Sequence, residues 1–490
     1  MKINYLSLVN DTPAEGYWDH ALLKDLLEDL PDSEREVFII PGAYQGNAIK
    51  DINMYLAAYP KVLVFITSDE EGKFLCQDLK HPDMILYCQY GTCKNSNIFP
   101  IGYTSETRKH LKSIGFVKKD ISVFFAGQLN SDERRAMFLG LVDIPKSVLF
   151  GTDGFSRGLK PEEYYDYMAH AKYAPAPGGH VSPDSFRFYE ALEARVIPIR
   201  YPEYLDNLFP DMPKLVGDKD ITNSVFAWWI KKKVELKQQI KKDLGIQEAL
   251  TVIIPTSPIP SHPSTEIIDQ TIKSVRFHTN SDIILTIDGI RPEQENMQEQ
   301  YEEYIRQLLW KCNFEYTNIM PVIFNEHKHQ SGMMKETLPL VKTPLLLYVE
   351  HDTPLVTDMP IDWQYLIQII LDQKAHVIRF HYESFVPKEH EYLMVGKPEG
   401  DLLKTVQWSQ RPHLARTEFY KDAMRFFSED ANCFIEDLLY GKLLAAVQVE
   451  GVGNWQDWKV FIYHPEGDIK RSLNLDGRGT DKKYEKEQIW

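Results

Sequence analysis

The chain has 490 residues, 43% of them apolar and 12% aromatic, with 55 Lys+Arg against 71 Asp+Glu for a formal charge of −16. This length and apolar content exclude a disordered chain and imply about two to four domains at ~100–200 residues each. The acidic balance argues against gripping nucleic acid through the net field, and no run of about 18 apolar residues marks a membrane span.

The N-terminus carries one lysine and a short apolar run that meets polar residues at once. It reads as a first strand, not a signal peptide. Short β-rich runs at residues 3–8, 37–40, 62–66, 84–88, 121–126, 147–150 and 195–199 alternate with helical patterns such as 20–30 and 161–171. Buried strands spaced by helices predict parallel sheets with crossover connections. The charged stretch 108–120 breaks the rhythm and divides the first half into lobes 1–118 and 119–248. A helix is expected from about 221 to 244, carrying Trp228, Trp229 and a lysine-rich run that reads as a solvated face.

At Thr251 the pattern restarts, with strand-like TVIIP, helix 264–277, IILTIDG, helices 293–311 and 332–341, then LLLYVEHD. This second βαβ series predicts a separate α/β domain over 251–475, followed by a polar tail at 476–490. The five cysteines are odd in number and scattered, which predicts no disulfide framework; Cys88 and Cys93 lack a second pair for a zinc site. A protein of the reducing cytoplasm is the expectation.

In the first half, residues 161–199 read as helix, short strand, Pro177-Gly178-Gly179 turn, helix opened by Ser182 or Asp184, and strand. Such a turn sets unpaired backbone N–H groups at a helix N-terminus, which suits a phosphate. Ser185, Arg187 and Glu190 fall on the first turns of that helix, the Arg offering charge to a diphosphate and the Glu hydrogen bonds to ribose. The segment closely resembles the exostosin-like (family 47) glycosyltransferases. The shared elements are the Pro-x-Gly turn, Ser185-Phe186-Arg187, Glu190-Ala191 and Val196-Ile197-Pro198-Ile199. Upstream, Phe125-Ala126-Gly127 with Arg134 and Arg135 resembles that family's strand, Gly turn and basic helix. The family's usual Gly after the Glu-Ala helix is Arg195 here. The resemblance implies a GT-B fold of two Rossmann-like lobes. Its donor site would comprise Gly127, Arg134, Arg135, Gly178, Gly179, Ser185, Arg187 and Glu190, with no metal. His170 and His180 are both open as acceptor-side bases.

In the second half, a buried run over 345–349 leads into Glu350-His351-Asp352. Carboxylates at i and i+2 of an extended chain share one face, and at the carboxyl end of a parallel strand that face meets the ligand crevice. Two convergent hard oxygens suit Mg²⁺ or Mn²⁺. Pro255 and Thr256 end the opening strand where a turn can cradle a nucleotide, and Asp288 ends the next, placed to accept from a base or ribose. This order resembles the GT-A fold of family 2-like glycosyltransferases. By that resemblance Glu350-His351-Asp352 takes the D-x-D position, with Glu for the first Asp and Asp352 favoured as the direct metal ligand. Phe434-Ile435-Glu436-Asp437 takes the x-E-D position, Asp437 first and Glu436 second as general base. His464 is the late metal ligand. Lys335 either neutralises the diphosphate or sits on a solvated helix face. Trp408 and Arg411 offer sugar stacking and hydroxyl recognition, Trp408 being equally suited to a core.

Together these features predict a bifunctional glycosyltransferase, inverting by what the resemblance implies, that adds sugars successively to a glycan acceptor from nucleotide-sugar donors, UDP-sugars first. Mn²⁺ or Mg²⁺ is expected in the GT-A half and no cofactor in the GT-B half. Two alternatives stay open: a viral-type enzyme modifying hydroxymethylated pyrimidine in DNA, and a binding or scaffolding protein with one degenerate module.

Overall fold

The computed structural model describes all residues except 7–19, 43–47, 155–156, 180, 201–207, 215–220, 384, 429, 451–454, 466, 468–469 and 476–490. The expected polar tail and His180 therefore lie outside the described residues. The chain is α/β throughout, and it divides into two compact units, Met1–Gln247 with Asn313–Glu315, and Glu248–Cys312 with Tyr316–Trp490.

The first unit holds two parallel, Rossmann-like sheets. One comprises β1 (Ile3–Tyr5), β2 (Glu36–Pro41), β3 (Val62–Thr67), β4 (Met84–Cys88) and β5 (Asn97–Ile98), in that spatial order. Every residue of β3 is buried, as a strand covered on both faces by crossover helices requires. The other comprises β6 (Ile121–Gln128), β7 (Ser147–Thr152), β8 (Ala171–Ala176) and β9 (Ile197–Arg200), in the order β7-β6-β8-β9. The chain leaves β6 to one side for β7 and returns to its other side for β8. That reversal opens a crevice at the carboxyl ends of β6 and β8, where open α/β sheets hold ligands.

The charged stretch 108–120 lies between the last strand of the first sheet and the first strand of the second, and it begins as helix: Ser105–Ile114 runs into it, with Thr107 and Leu111 buried. Four basic side chains around one leucine hid its apolar stripe from a composition reading. Cys76 and Cys93 form a disulfide, with Cα atoms 5.8 Å apart. The separation of 17 residues carries no signal in sequence; the loops after β3 and β4 bring both into one apolar cluster with Cys88. The cysteine count therefore no longer argues for a reducing compartment.

Helix Thr222–Asp243 forms as expected and buries Trp228 and Trp229. Its lysine-rich run is not simply the solvated face expected: Lys232 pairs with Asp211 at 2.8 Å and Glu235 at 2.7 Å, Lys233 pairs with the buried Glu193, and Lys241 is buried.

The second unit is built on one mixed sheet of eight strands: β10 (Leu250–Thr256), β11 (Ile283–Ile287), β12 (Ile319–Ile323), β13 (Leu345–Tyr348), β14 (Val377–Phe380), β15 (Leu402–Lys404), β16 (His413–Arg416) and β17 (Val460–Tyr463). Their order is β12-β11-β10-β13-β16-β14-β17-β15. β10 to β13 are mutually parallel, β16 runs against β13 and β14, and β17 lies parallel to β14. The direction of travel reverses at β10, so the crevice falls between the ends of β10 and β13, and β13 delivers Glu350-His351-Asp352 there. Among the described residues, no helix is long and apolar enough to cross a membrane.

Candidate functional sites

In the first unit a cleft of about 790 Å³ lies against the carboxyl ends of β6 and β8. Gly127 is the last residue but one of β6, and a Cβ built there would stand 2.5 Å from Arg187 Nη2. Glycine is needed for the Arg187 guanidinium to lie across the strand end. There it donates to the Ala126 carbonyl at 2.5 Å and sits 4.8 Å from the Phe125 ring centre, its Nε buried without a hydrogen-bond partner. Arg134, from helix Asp132–Leu141, donates to the Gly178 carbonyl and, at 3.4 Å, to Gln128. Burial and the neighbouring Arg187 charge both lower the Arg134 pKa. Two guanidinium groups held side by side on a cleft wall suit a diphosphate, which accepts several planar N–H donors at once.

Arg135 does not join them. One helix position on, it turns outward to Leu129 O and Asp132, each at 2.7 Å, because neighbouring helical side chains diverge by roughly 100°. Gly178 and Gly179 lie in the loop after β8, where the Gly179 N–H donates to the Asp184 carbonyl at 3.2 Å and is not unpaired as expected. A Cβ on Gly179 would meet Glu70 Oε1 at 2.8 Å and the Asp184 carbonyl at 2.9 Å. Ser185 lines the cleft and precedes helix Phe186–Glu193, its N–H donating to Asp184 at 3.0 Å. Glu190 also lines it, but its carboxylate already accepts from Tyr164 at 2.8 Å, Tyr165 at 2.9 Å and Thr104 at 3.3 Å. Its first task is therefore to fix those tyrosines. His170 is not among the lining residues and bonds the Asp166 carbonyl.

The sequence reading missed Glu70 and gave Asp184 only as a helix opener, whereas Ser185 stands at the N-cap of that helix. Glu70 follows β3 and crosses the cleft to accept from the Val181 and Ser182 N–H groups, both at 2.9 Å. The turn assigned to a phosphate thus already holds a carboxylate. Asp184 is buried, accepts from Ser185 and Ile101 N–H and the Tyr189 hydroxyl, and burial pushes its pKa up to about 6. An acid just past a buried parallel strand was the available signal for Glu70.

In the second unit Glu350 accepts from the Tyr348 hydroxyl at 3.1 Å and from Gln330 Nε2. Burial of its carboxyl group and then the Asp352 charge push its pKa up to about 8. Asp352 is buried, and its Oδ1 has no hydrogen-bond partner. A close carboxylate pair with an orphaned buried oxygen fits a hard divalent cation, which would relieve both the repulsion and the missing bond. Among the described residues no third His, Cys, Asp or Glu is gathered with them for a metal. His464 does not complete the set. β17 is separated from β13 by β16 and β14, which puts their ends roughly 14 Å apart at ~4.8 Å per strand. Burial and Arg471 lower the His464 pKa.

The remaining expectations divide. Glu436 and Asp437 stand in the first turn of helix Ile435–Glu450 as read. Glu436 turns inward, accepting from Gln410 N–H at 2.9 Å, while Asp437 is exposed. Arg411 lies near enough to Glu350 to favour its ionised form and packs 4.9 Å from the Tyr382 ring centre. Asp288 accepts from the Gly289, Lys328 and His329 N–H groups and lies 2.8 Å from His327 Nδ1, so it anchors that loop. Pro255 and Thr256 are buried strand residues, the Thr256 hydroxyl bonding Tyr304 at 2.9 Å. Lys335 is spent on the Phe427 and Ser428 carbonyls, away from any diphosphate role. Trp408 is a core ring, 2% exposed among His413, Tyr420 and Trp458, and cannot stack on a sugar. Missed altogether were Gln330 and the buried Arg379, whose pKa burial lowers to about 10.

No protein-family model and no curated protein matches the chain. Solved structures similar to parts of it include S. aureus TarS, at 13% identity and a TM-score of 0.29, covering 46% of this chain and 37% of that one. TarS residues 1–349 in complex with UDP-GlcNAc gives 12% identity and 0.29, covering 48% and 60%. UDP-glucose pyrophosphorylase with UDP-glucose gives 10% and 0.29, covering 47% and 93%. The chain spans about a third of TarS, and the functional reading is built on its own residues.

Proposed function

We propose that the chain is a glycosyltransferase with two nucleotide-sugar sites, one in each unit, that transfers sugar to hydroxyl acceptors. The observation that carries the reading is the Arg134–Arg187 pair at the β6/β8 crevice, with Gly127 leaving room for it. In this first site the two guanidinium groups and the Gly178-Gly179 turn neutralise a departing diphosphate without a metal.

The second site rests on Glu350 and Asp352, which would hold Mn²⁺ or Mg²⁺. Such a cation, when bound, supplies positive charge to the leaving diphosphate. Arg411 adds fixed charge beside the pair. Asp437, exposed at its helix start, takes the proton of the acceptor hydroxyl. The acceptor oxygen then forms its bond to the anomeric carbon on the face opposite the breaking carbon–oxygen bond, and the nucleoside diphosphate leaves with that electron pair. Inversion follows from this one-step displacement. Glu436, tied to Gln410, serves the frame.

The test is a donor panel of UDP-, GDP- and TDP-sugars, with and without Mn²⁺, on the full chain and its Arg187→Ala and Asp352→Asn variants. Metal-independent turnover lost only in Arg187→Ala, with metal-dependent turnover lost only in Asp352→Asn, is expected. No turnover of any donor by the wild-type chain would refute the reading.

A further inference from the structure

Gln330 is buried, 8% exposed, in the first turn of helix His329–Thr337. Its side-chain amide makes contacts in opposite directions. Nε2 donates to Glu350 Oε1, while Oε1 accepts from Gln410 Nε2 at 2.7 Å and from the Ile435 N–H at 3.4 Å. Ile435 opens the helix that carries Glu436 and Asp437, and Gln410 N–H in turn donates to Glu436. A backbone N–H can only donate, so Ile435 fixes which end of the amide is oxygen and leaves the NH₂ facing Glu350.

We propose that Gln330 is a positioning residue that sets the carboxylate pair at the end of β13 against the helix start bearing Asp437. The proposal rests on the function proposed above, since it gives those two groups their roles toward donor and acceptor. Only an amide fits both neighbours at this length. A carboxylate keeps the acceptor for Ile435 but cannot donate to Glu350, and an ammonium cannot accept from Ile435. The segments around 350 and 410 continue the β13–β16 ladder, in which Tyr348 lies opposite His413, and those around 330 and 435 are tied by Ser331 N–H to the Cys433 carbonyl at 3.2 Å. The Gln330 amide, beside the Gln410–Glu436 bond, joins one tied pair of segments to the other, so losing it loosens the donor-facing pair relative to the acceptor-facing acid. A misplacement of about 1 Å between reacting groups costs on the order of 100-fold in rate.

The test compares wild type with Gln330→Met, which keeps length and bulk but makes neither bond, and Gln330→Glu, which keeps only the acceptor. Expected for Gln330→Met is a fall of about 10- to 100-fold in kcat of the Mn²⁺-dependent transfer, with the Kd for UDP in Mn²⁺ within about threefold of wild type. Gln330→Glu is expected between the two in kcat. Hydrogen exchange, read without turnover, is expected to quicken at the Gln410 and Ile435 amides in Gln330→Met and to stay unchanged in the Arg134–Arg187 cleft. Unchanged kcat and exchange would overturn the proposal. So would parallel loss of kcat, UDP affinity and Tm, the pattern of a general packing defect. Absence of Mn²⁺-dependent turnover in wild type instead refutes the functional reading, and the exchange result then decides the bridge alone.

Discussion

Removing the carboxylate of Glu70 is expected to strengthen nucleotide binding in the first unit. Glu70 accepts two backbone N–H bonds, from Val181 and Ser182 at 2.9 Å each, in the turn that a diphosphate would use. Hydrogen bonds to a charged group contribute ~1.5–3 kcal/mol each, and rehydration of the released carboxylate returns most of that. A net displacement cost of about 1.4 kcal/mol is a factor of about ten in Kd. Glu70→Ala should therefore bind UDP about tenfold more tightly than wild type. Glu70→Gln, which keeps an acceptor but not the charge, should gain about threefold. Calorimetric titration without divalent metal, in an Asp352→Asn background that silences the second site, reads this directly. Unchanged or weaker binding in Glu70→Ala would show that the donor does not compete for those amides, and the phosphate cradle would have to lie elsewhere in the cleft.

Gly127→Ala should abolish metal-independent UDP binding while shifting Tm little, because its Cβ would stand 2.5 Å from Arg187 Nη2 and push the guanidinium off the strand end. Wild-type affinity in that variant would contradict the role given to Arg187. In acid the second unit should fail first. Burial lowers the pKa of His262 to about 3 and of His376 and His413 to about 4, so below pH 6.5 the unfolded chain takes up protons that the folded unit refuses. Each ring costs about 1.4 kcal/mol per pH unit, or ~4 kcal/mol for the three at pH 5.5, of which Glu350, raised to about 8 and so taking up its proton in the folded state first, returns roughly 2 kcal/mol. The first unit holds one described ring of this kind, His20, lowered to about 4. Thermal melts between pH 7.5 and 5 should show one transition moving down much faster than the other; two transitions falling together would contradict this.

Sheet content was legible wherever burial on both faces produced continuous β-branched and aromatic runs. β3 and β4 are legible to within a residue, Arg187 because a helix start has a local signature, and Gly127 only through the family resemblance. β14 to β17 escaped because their pairing is non-local: β16 inserts between β13 and β14 from later in the chain. Side-chain destinations were the least legible. Arg134 and Arg135 are adjacent and chemically alike, yet one faces the cleft and one faces solvent. Trp408 and Lys335 had the right chemistry for a ligand, but tertiary packing committed them to an aromatic cluster and to two carbonyls. Glu70 acts on a loop 111 residues away and Gln330 on groups 20, 80 and 105 residues away, which no spacing rule reports.

Occupancy of the two crevices is decided by calorimetry of UDP on the wild-type chain, first in EDTA and then in Mn²⁺. One binding event in EDTA that Arg187→Ala removes, and a second in Mn²⁺ that Asp352→Asn removes, is the expected result. A single event insensitive to both substitutions would contradict it.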